Sequence, residues 1–214
     1  LRLLLPVVLL VVVIFLVAIP VQGMDRLFGK LSTAGVLIAT ALGVISLISI
    51  AVDEDDFAAV QGRFMRGAVW VATLTVPVLA GLALAAFWMR IGQYGWTPAR
   101  VTGVTGAGVL MVYGIAYALA ALRRGRWMER IRRANIVIAG AIVVLAALWM
   151  TPLIRPEAIS VDNQLARFAA GQAKLTDLPL AEMKFEWGAA GAAGLAALRQ
   201  DAAPERDLAK ALDA

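Results

Sequence analysis

The sequence predicts an all-α fold, a polytopic transmembrane helical protein with a short C-terminal extramembrane helical tail. Three observations carry this. Sixty-one per cent of the 214 residues are apolar and 16% are charged, outside the range of soluble domains. Five uncharged runs, 3–24, 31–52, 67–89, 101–122 and 134–154, are each 21 to 23 residues long. At about 1.5 Å per residue, such helices match a hydrocarbon layer about 30 Å thick. The charges also divide: residues 1–152 hold thirteen Lys/Arg against six Asp/Glu, whereas 153–214 hold seven against nine. The first 154 residues therefore read as a five-span membrane domain, and 155–214 as an extramembrane tail.

With no Cys and no His, disulfides, thiol chemistry, haem ligation and ordinary zinc sites lack their usual ligands. The sequence offers no catalytic constellation and implies no metal and no cofactor. The basic balance serves topology rather than nucleic acid, which is not an expected partner. Membrane lipids are.

The first run has Pro6 and Pro20 near its ends, where a helix tolerates them. Its apolar core is longer than that of a signal peptide, and no small-x-small cleavage pattern precedes Asp25. Because the first residue is Leu, the chain reads as a piece of a longer membrane protein with further spans upstream. In the second run Gly35, Ala39 and Gly43 recur every four residues, a small-residue face suited to close helix packing. Ser46 and Ser49 are expected to bond their own helix carbonyls. The acidic run Asp53 to Asp56 is a solvated helix stop, since consecutive carboxylates do not converge on one ion.

The third run contains Pro77, expected to bend the helix. Between it and the fourth lies RIGQYGWTPARV. Tyr94 and Trp96 suit the headgroup zone, and Thr97 with Pro98 reads as cap and first turn of the next helix. Arg100 falls at the positive end of that helix dipole, so a compensating partner is expected. The candidates are Asp25, Glu157, Asp162 or a lipid or glycan phosphate. In the phosphate case Tyr94, Trp96 and Arg100 form the rim of a headgroup or phosphate site; otherwise they are an interfacial belt. In the fourth run Tyr117 is read as an interfacial anchor and Tyr113 as needing a helix partner.

Arg123, Arg124, Arg126, Arg130, Arg132 and Arg133 crowd the next loop against one acid, Glu129. They are the main topology determinants, with anionic headgroups a second role. Placing them inside the cell puts nine basic residues inside and four outside in the short loops, with the tail external. The fifth run closes with Trp149, Thr151 and Pro152. In the tail, Ser160 is expected to cap a helix to Ala170, with Val161, Leu165 and Phe168 as its apolar face and Arg167 turned away. A turn at Gly171, an irregular stretch, an Ala-rich helix and a last piece from Pro204 follow.

No Asp, Glu, Lys or Arg falls inside any run, which weighs against an ion-coupled transport core. The loop RIGQYGWTPARV, then YGIAYALAAL, RRGRWMERIRRAN, TPLIRPEAISVDNQLARF and FEWG together resemble the C-terminal half of the DUF4153 family of uncharacterised bacterial multi-pass membrane proteins. The upstream LFGKLSTAGVLIATALGVISLIS is similar to that family's preceding spans. The resemblance covers roughly residues 25 to 195 and is clearest at Tyr94, Gly95, Thr97, Arg100, Pro152, Pro156, Ser160, Gln164 and Leu165. It implies upstream spans and a bacterial inner membrane, with a periplasmic tail. It implies no reaction, because the family is defined by similarity, and the chain departs from it at Trp187 and the Gly/Ala run.

The residues point to a non-enzymatic envelope scaffold, sensor or accessory subunit. Its partners would be lipids and other membrane proteins or upstream helices of the same chain. The alternative is a transporter, or an enzyme acting on lipid-linked substrates, whose site is shared with those upstream helices. The threading is testable, because the chain has no cysteine of its own. A cysteine placed within 123–133 should resist a membrane-impermeant thiol reagent in spheroplasts, and one at Ala170 should react. The reverse pattern overturns the threading.

Overall fold

In the computed structural model the described residues are 4–22, 32–52, 62–123 and 125–201. Asp25, the acidic run 53–56, Arg124 and the segment from Pro204 lie outside them. The described chain is helical throughout: α1 (Leu4–Gln22), α2 (Thr33–Val52), α3 (Arg63–Tyr94), α4 (Pro98–Leu122), α5 (Trp127–Trp149) and α6 (Pro156–Ala169). A 3₁₀ turn (Leu175–Asp177), α7 (Leu180–Phe185) and α8 (Gly188–Asp201) follow. Helices α2 to α5 are long and apolar enough to cross a membrane, whereas the apolar part of α1 is the shorter Leu4–Ile19. The protein is an all-α multi-pass membrane protein with a non-membrane helical segment at its C-terminal side.

Helix boundaries depart from the uncharged runs in both directions: α4 starts at Pro98 rather than 101, while α5 stops at Trp149 rather than 154, ahead of Pro152. Helix α3 continues through Arg66 and Arg90, and α5 begins at Trp127 instead of 134. A long basic side chain carries its charge to water while its backbone stays helical, so charge marks the edge of the hydrocarbon and not the end of the helix. Most of the basic segment is therefore helix, and only 123–126 connects α4 to α5. Glu129 sits in the first turn of α5, where the dipole favours an anion. It pairs with Arg126 at 3.2 Å and with Arg133 at 3.7 Å.

The chain divides into two compact units. The first comprises 1–87 and 103–147, and its core includes Leu37, Ile48, Val69, Leu79, Tyr117 and Ile131. The buried face of α2 is Ala34, Leu37, Ala41, Val44, Ile45 and Ile48. Gly35, Ala39 and Gly43 lie on its exposed side, where a Cβ added at Gly43 would meet nothing within 4 Å. Close backbone approach occurs elsewhere. A Cβ at Gly114 of α4 would stand 2.6 Å from the Pro77 nitrogen of α3, and one at Gly103 would strike the Phe87 ring. Pro77 lacks an N–H and Gly114 lacks a side chain, so the two helices meet where neither has anything to interpose.

Tyr117, expected as an interfacial anchor, is instead a core residue. Tyr117 is fully buried, while Tyr113 is partly buried and meets it edge-on at 5.7 Å. The Tyr117 hydroxyl donates to Asn135 Oδ1 of α5 and lies 3.3 Å from Ser49 Oγ of α2. Asn135 Nδ2 donates to Ser49 Oγ at 3.2 Å, closing a three-helix cycle. Ser46 bonds its own helix as expected, to Leu42 O, but Ser49 does not. Ser49 faces α4 and α5, where Tyr117 and Asn135 offer it partners across helices.

The second unit comprises 88–102 and 148–214. Val161, Met183 and Trp187 form one buried cluster and Leu178 with Leu198 another, joined by Leu165, Leu180 and Leu195. Helix α6 starts at Pro156, not at Ser160. Proline suits a first helical position because its missing N–H has no partner there, and Ser160 is buried one turn later with its hydroxyl donating to Pro156 O. Gly171 turns the chain at φ 68°, and Gly191 and Gly194 let α8 approach Met183 and Val161.

Gly114→Ala is expected to lower the stability of the solubilised protein by about 1–3 kcal/mol through overpacking against Pro77. Gly43→Ala should leave it unchanged or slightly raised. Equal thermal-melting responses would contradict this packing.

Candidate interfacial site

The second unit is built around the end of α3. Tyr94 closes the helix, Gly95 turns the chain at φ 74°, and Thr97 and Pro98 open α4. The predicted cap is present: Thr97 Oγ1 accepts from the Arg100 N–H at 3.3 Å. Gly95 is required for two reasons. Its φ is left-handed, and a Cβ there would stand 2.7 Å from Gln164 Nε2 and 2.9 Å from Arg167 Cδ.

A helix end leaves carbonyls without intrahelical donors, and here α6 supplies them. Gln164 Nε2 donates to Tyr94 O and to Trp96 O, both at 2.9 Å. Arg167 Nη1 and Nη2 donate to Gly92 O at 3.2 Å and Gln93 O at 3.0 Å. Asn163 Oδ1 accepts from the Trp96 N–H at 2.9 Å. Ser160, Asn163, Gln164 and Arg167 recur at helical spacing and make a polar stripe beside the apolar Val161, Leu165 and Phe168. Arg167, expected to turn away from the protein, instead meets the end of α3. The stripe was the signal for its partner, since a polar row on a helix that also buries Ser160 and Gln164 must meet backbone groups.

Arg100 takes neither Glu157 nor Asp162 as partner. Its Nη1 donates to Gly95 O at 2.6 Å and approaches Tyr94 O at 3.4 Å, and its guanidinium lies 5.6 Å from the Tyr94 ring centre. The expectation of an acid came from its position at the start of α4. The side chain instead reaches back to the end of α3, where carbonyls and the negative end of a dipole receive it. Arg90 and Arg167 lie close enough to repel it. The cluster is cationic, and Arg100 and Arg167 are held by carbonyls rather than carboxylates.

Tyr94 is 59% exposed and Trp96 half-buried, so the structure brings Tyr94 and Arg100 together and turns the Trp96 backbone to Asn163. Near the other end of the spans, Arg130 Nη1 donates to Arg123 O at 3.0 Å and Ala120 O at 3.4 Å. Arg132 Nη1 donates to Val52 O at 3.3 Å. Among the described residues, no group of three or more His, Cys, Asp or Glu is placed to hold a metal ion. Neither a family model, nor a curated protein, nor a solved structure matches the chain.

Gln164→Ala would strip donors from two carbonyls, at about 1–3 kcal/mol for each group left buried and unpaired. Hydrogen exchange at 92–97 and proteolysis within 156–178 should both accelerate. Asp162→Asn and Glu157→Gln should leave both unchanged, and an effect like that of Gln164→Ala would restore an acid as the partner of Arg100.

Proposed function

We propose that the protein is a non-enzymatic component of a bacterial inner membrane, a scaffold, sensor or accessory subunit, with its C-terminal unit in the periplasm. One observation supports this above others. The polar groups turned into the spans, Tyr117, Ser49 and Asn135, satisfy one another in a closed cycle. Thr40, Thr73, Thr75 and Thr102 bond their own helices. Side chains committed to each other bind helices together and offer little to a passing solute. Kinship with the DUF4153 family is part of the same proposal and rests on the motifs quoted above.

Tyr94, Trp96 and Arg100 have an interfacial role in this reading. The aromatic pair sits at headgroup level, and the arginine cluster draws phosphate to it. A second reading, action on a lipid-linked substrate, is favoured by that same cluster of Arg90, Arg100 and Arg167. The small-residue face Gly35, Ala39 and Gly43 is proposed to meet a helix outside this chain.

Purification from native membranes in lipid nanodiscs, with cross-linking and identification of bound proteins and lipids, separates the readings. A stoichiometric membrane-protein partner cross-linked near Ala39 is expected. Lipid-linked glycan or pyrophosphate without a protein partner would favour the second. Tyr117→Phe should cost about 0.6–1.7 kcal/mol of stability and leave the partner bound. Loss of the partner with stability unchanged would contradict a purely structural cycle.

A further inference from the structure

Beside the α6 clamp, Gln93, Tyr94, Gln164, Arg167, Gln172 and Asp177 line a hollow of ≈ 470 Å³. It belongs to the second unit alone. Its charged groups are fixed in place. Both Nη atoms of Arg167 are held by the Gly92 and Gln93 carbonyls, and its Nε is buried with no hydrogen-bond partner. A buried N–H without an acceptor is a rare and costly state. Asp177 Oδ2 accepts from the Lys174 N–H at 3.0 Å, which orients the carboxylate. Arg167 and Asp177 line one hollow without forming an ion pair, so a guanidinium and an exposed carboxylate stand apart, and the Arg167 Nε has no acceptor. Gln93, Gln172 and Tyr94, which also line the hollow, carry neutral donors and acceptors.

In the functional reading above, the hollow lies at headgroup depth. Tyr94 is the last residue of α3, and Trp88, six residues earlier on the same helix, is 70% exposed. Aromatic residues in such positions mark the membrane–water boundary. The charge pattern then selects among headgroups. A purely anionic headgroup would satisfy Arg167 but set its charge against Asp177. A quaternary ammonium has no N–H to give to the carboxylate. A phosphate joined to a primary ammonium answers both, accepting from the guanidinium and donating to Asp177 and the amide oxygens.

We propose that the hollow binds the phosphoethanolamine headgroup of a zwitterionic phospholipid, with Arg167 at the phosphate and Asp177 at the ammonium, leaving the acyl chains alongside Trp88 and Met89. The inference rests on α3 ending at the headgroup layer, as in the functional reading above. It does not depend on which side of the membrane that end faces.

The test uses the full chain, delipidated in detergent and reconstituted into nanodiscs of equimolar phosphatidylethanolamine, phosphatidylglycerol and phosphatidylcholine. Retained lipid is then counted by native mass spectrometry after mild extraction. Phosphatidylethanolamine should exceed each of the others by about five- to tenfold. Asp177→Asn should abolish the preference over phosphatidylcholine while the protease pattern across 156–178 stays that of the parent. Gln172→Ala, an exposed position, should weaken retention and serves as the second variant if Asp177→Asn disturbs the fold. Preference for phosphatidylglycerol would mean an anion cluster without the ammonium site, and equal retention would mean no site; either overturns the proposal. Complete displacement by millimolar glycerophosphoethanolamine would assign the hollow to a soluble molecule and overturn the lipid as its source. Failure of the chain to enter nanodiscs at all would instead sink the membrane placement of α3.

Discussion

Each helix in this chain that ends near a membrane boundary leaves carbonyl oxygens whose donors would have belonged to the next turn. In water such groups are hydrated at little cost. At the edge of a hydrocarbon layer, hydration competes with apolar surroundings, and an unpaired carbonyl costs several kcal/mol in the limit of full burial. The protein meets this constraint at three helix ends with side chains from elsewhere in the sequence. Arg132 serves Val52 at the end of α2, and Arg130 serves Ala120 and Arg123 at the end of α4. Arg100, Gln164 and Arg167 serve residues 92–96 at the end of α3. The C-terminal unit follows from the last case, because the helix that closes the α3 end also buries Val161 against Met183 and Trp187.

Arginine is the residue suited to this task. Its planar fork presents several N–H groups at fixed spacing, so one side chain can hold two successive carbonyls, as Arg167 does. It stays charged beside apolar surroundings, and the negative end of a helix dipole favours it there. Sixteen of the twenty basic residues are arginine, and this use accounts for part of that bias. The positive-inside pattern and the capping pattern therefore draw on the same residues. Arg130 and Arg132, which the sequence reading assigns to topology, are structural donors in the fold.

Legibility in the sequence followed the range of the physics involved. Membrane spans were legible because composition over twenty residues decides them, and the Thr97 cap was legible because its chemistry is local. The ends of α3 and the start of α5 are not legible from charge, which marks the end of the hydrocarbon and not of the helix. The inward orientation of Tyr117 is not legible because it lies in an apolar run with no stripe to fix its face. Arg100 was read with the helix that carries it, whereas its guanidinium serves the helix before. Asn135 drew no notice as a single polar residue near the start of a span. Its partners lie 18 and 86 residues away, and nothing local records that separation.

Helix α5 shows what such a polar contact does in this solvent. Its buried residues are Met128, Ile131 and Ile138, all in its first half. Beyond them Val143 and Val144 are exposed, and only 11% of its apolar stretch is buried, against 44% for α3. In water this surface would drive collapse or aggregation. In lipid there is no apolar penalty to relieve, so a helix that is hydrophobic all round has no preferred rotation. The rotation of α5 is set instead by directional groups near its start. Asn135 meets Ser49 and Tyr117, and Arg130 and Arg132 meet the ends of α4 and α2. The second half can therefore face lipid or another helix without altering the first, because no directional bond there would have to break.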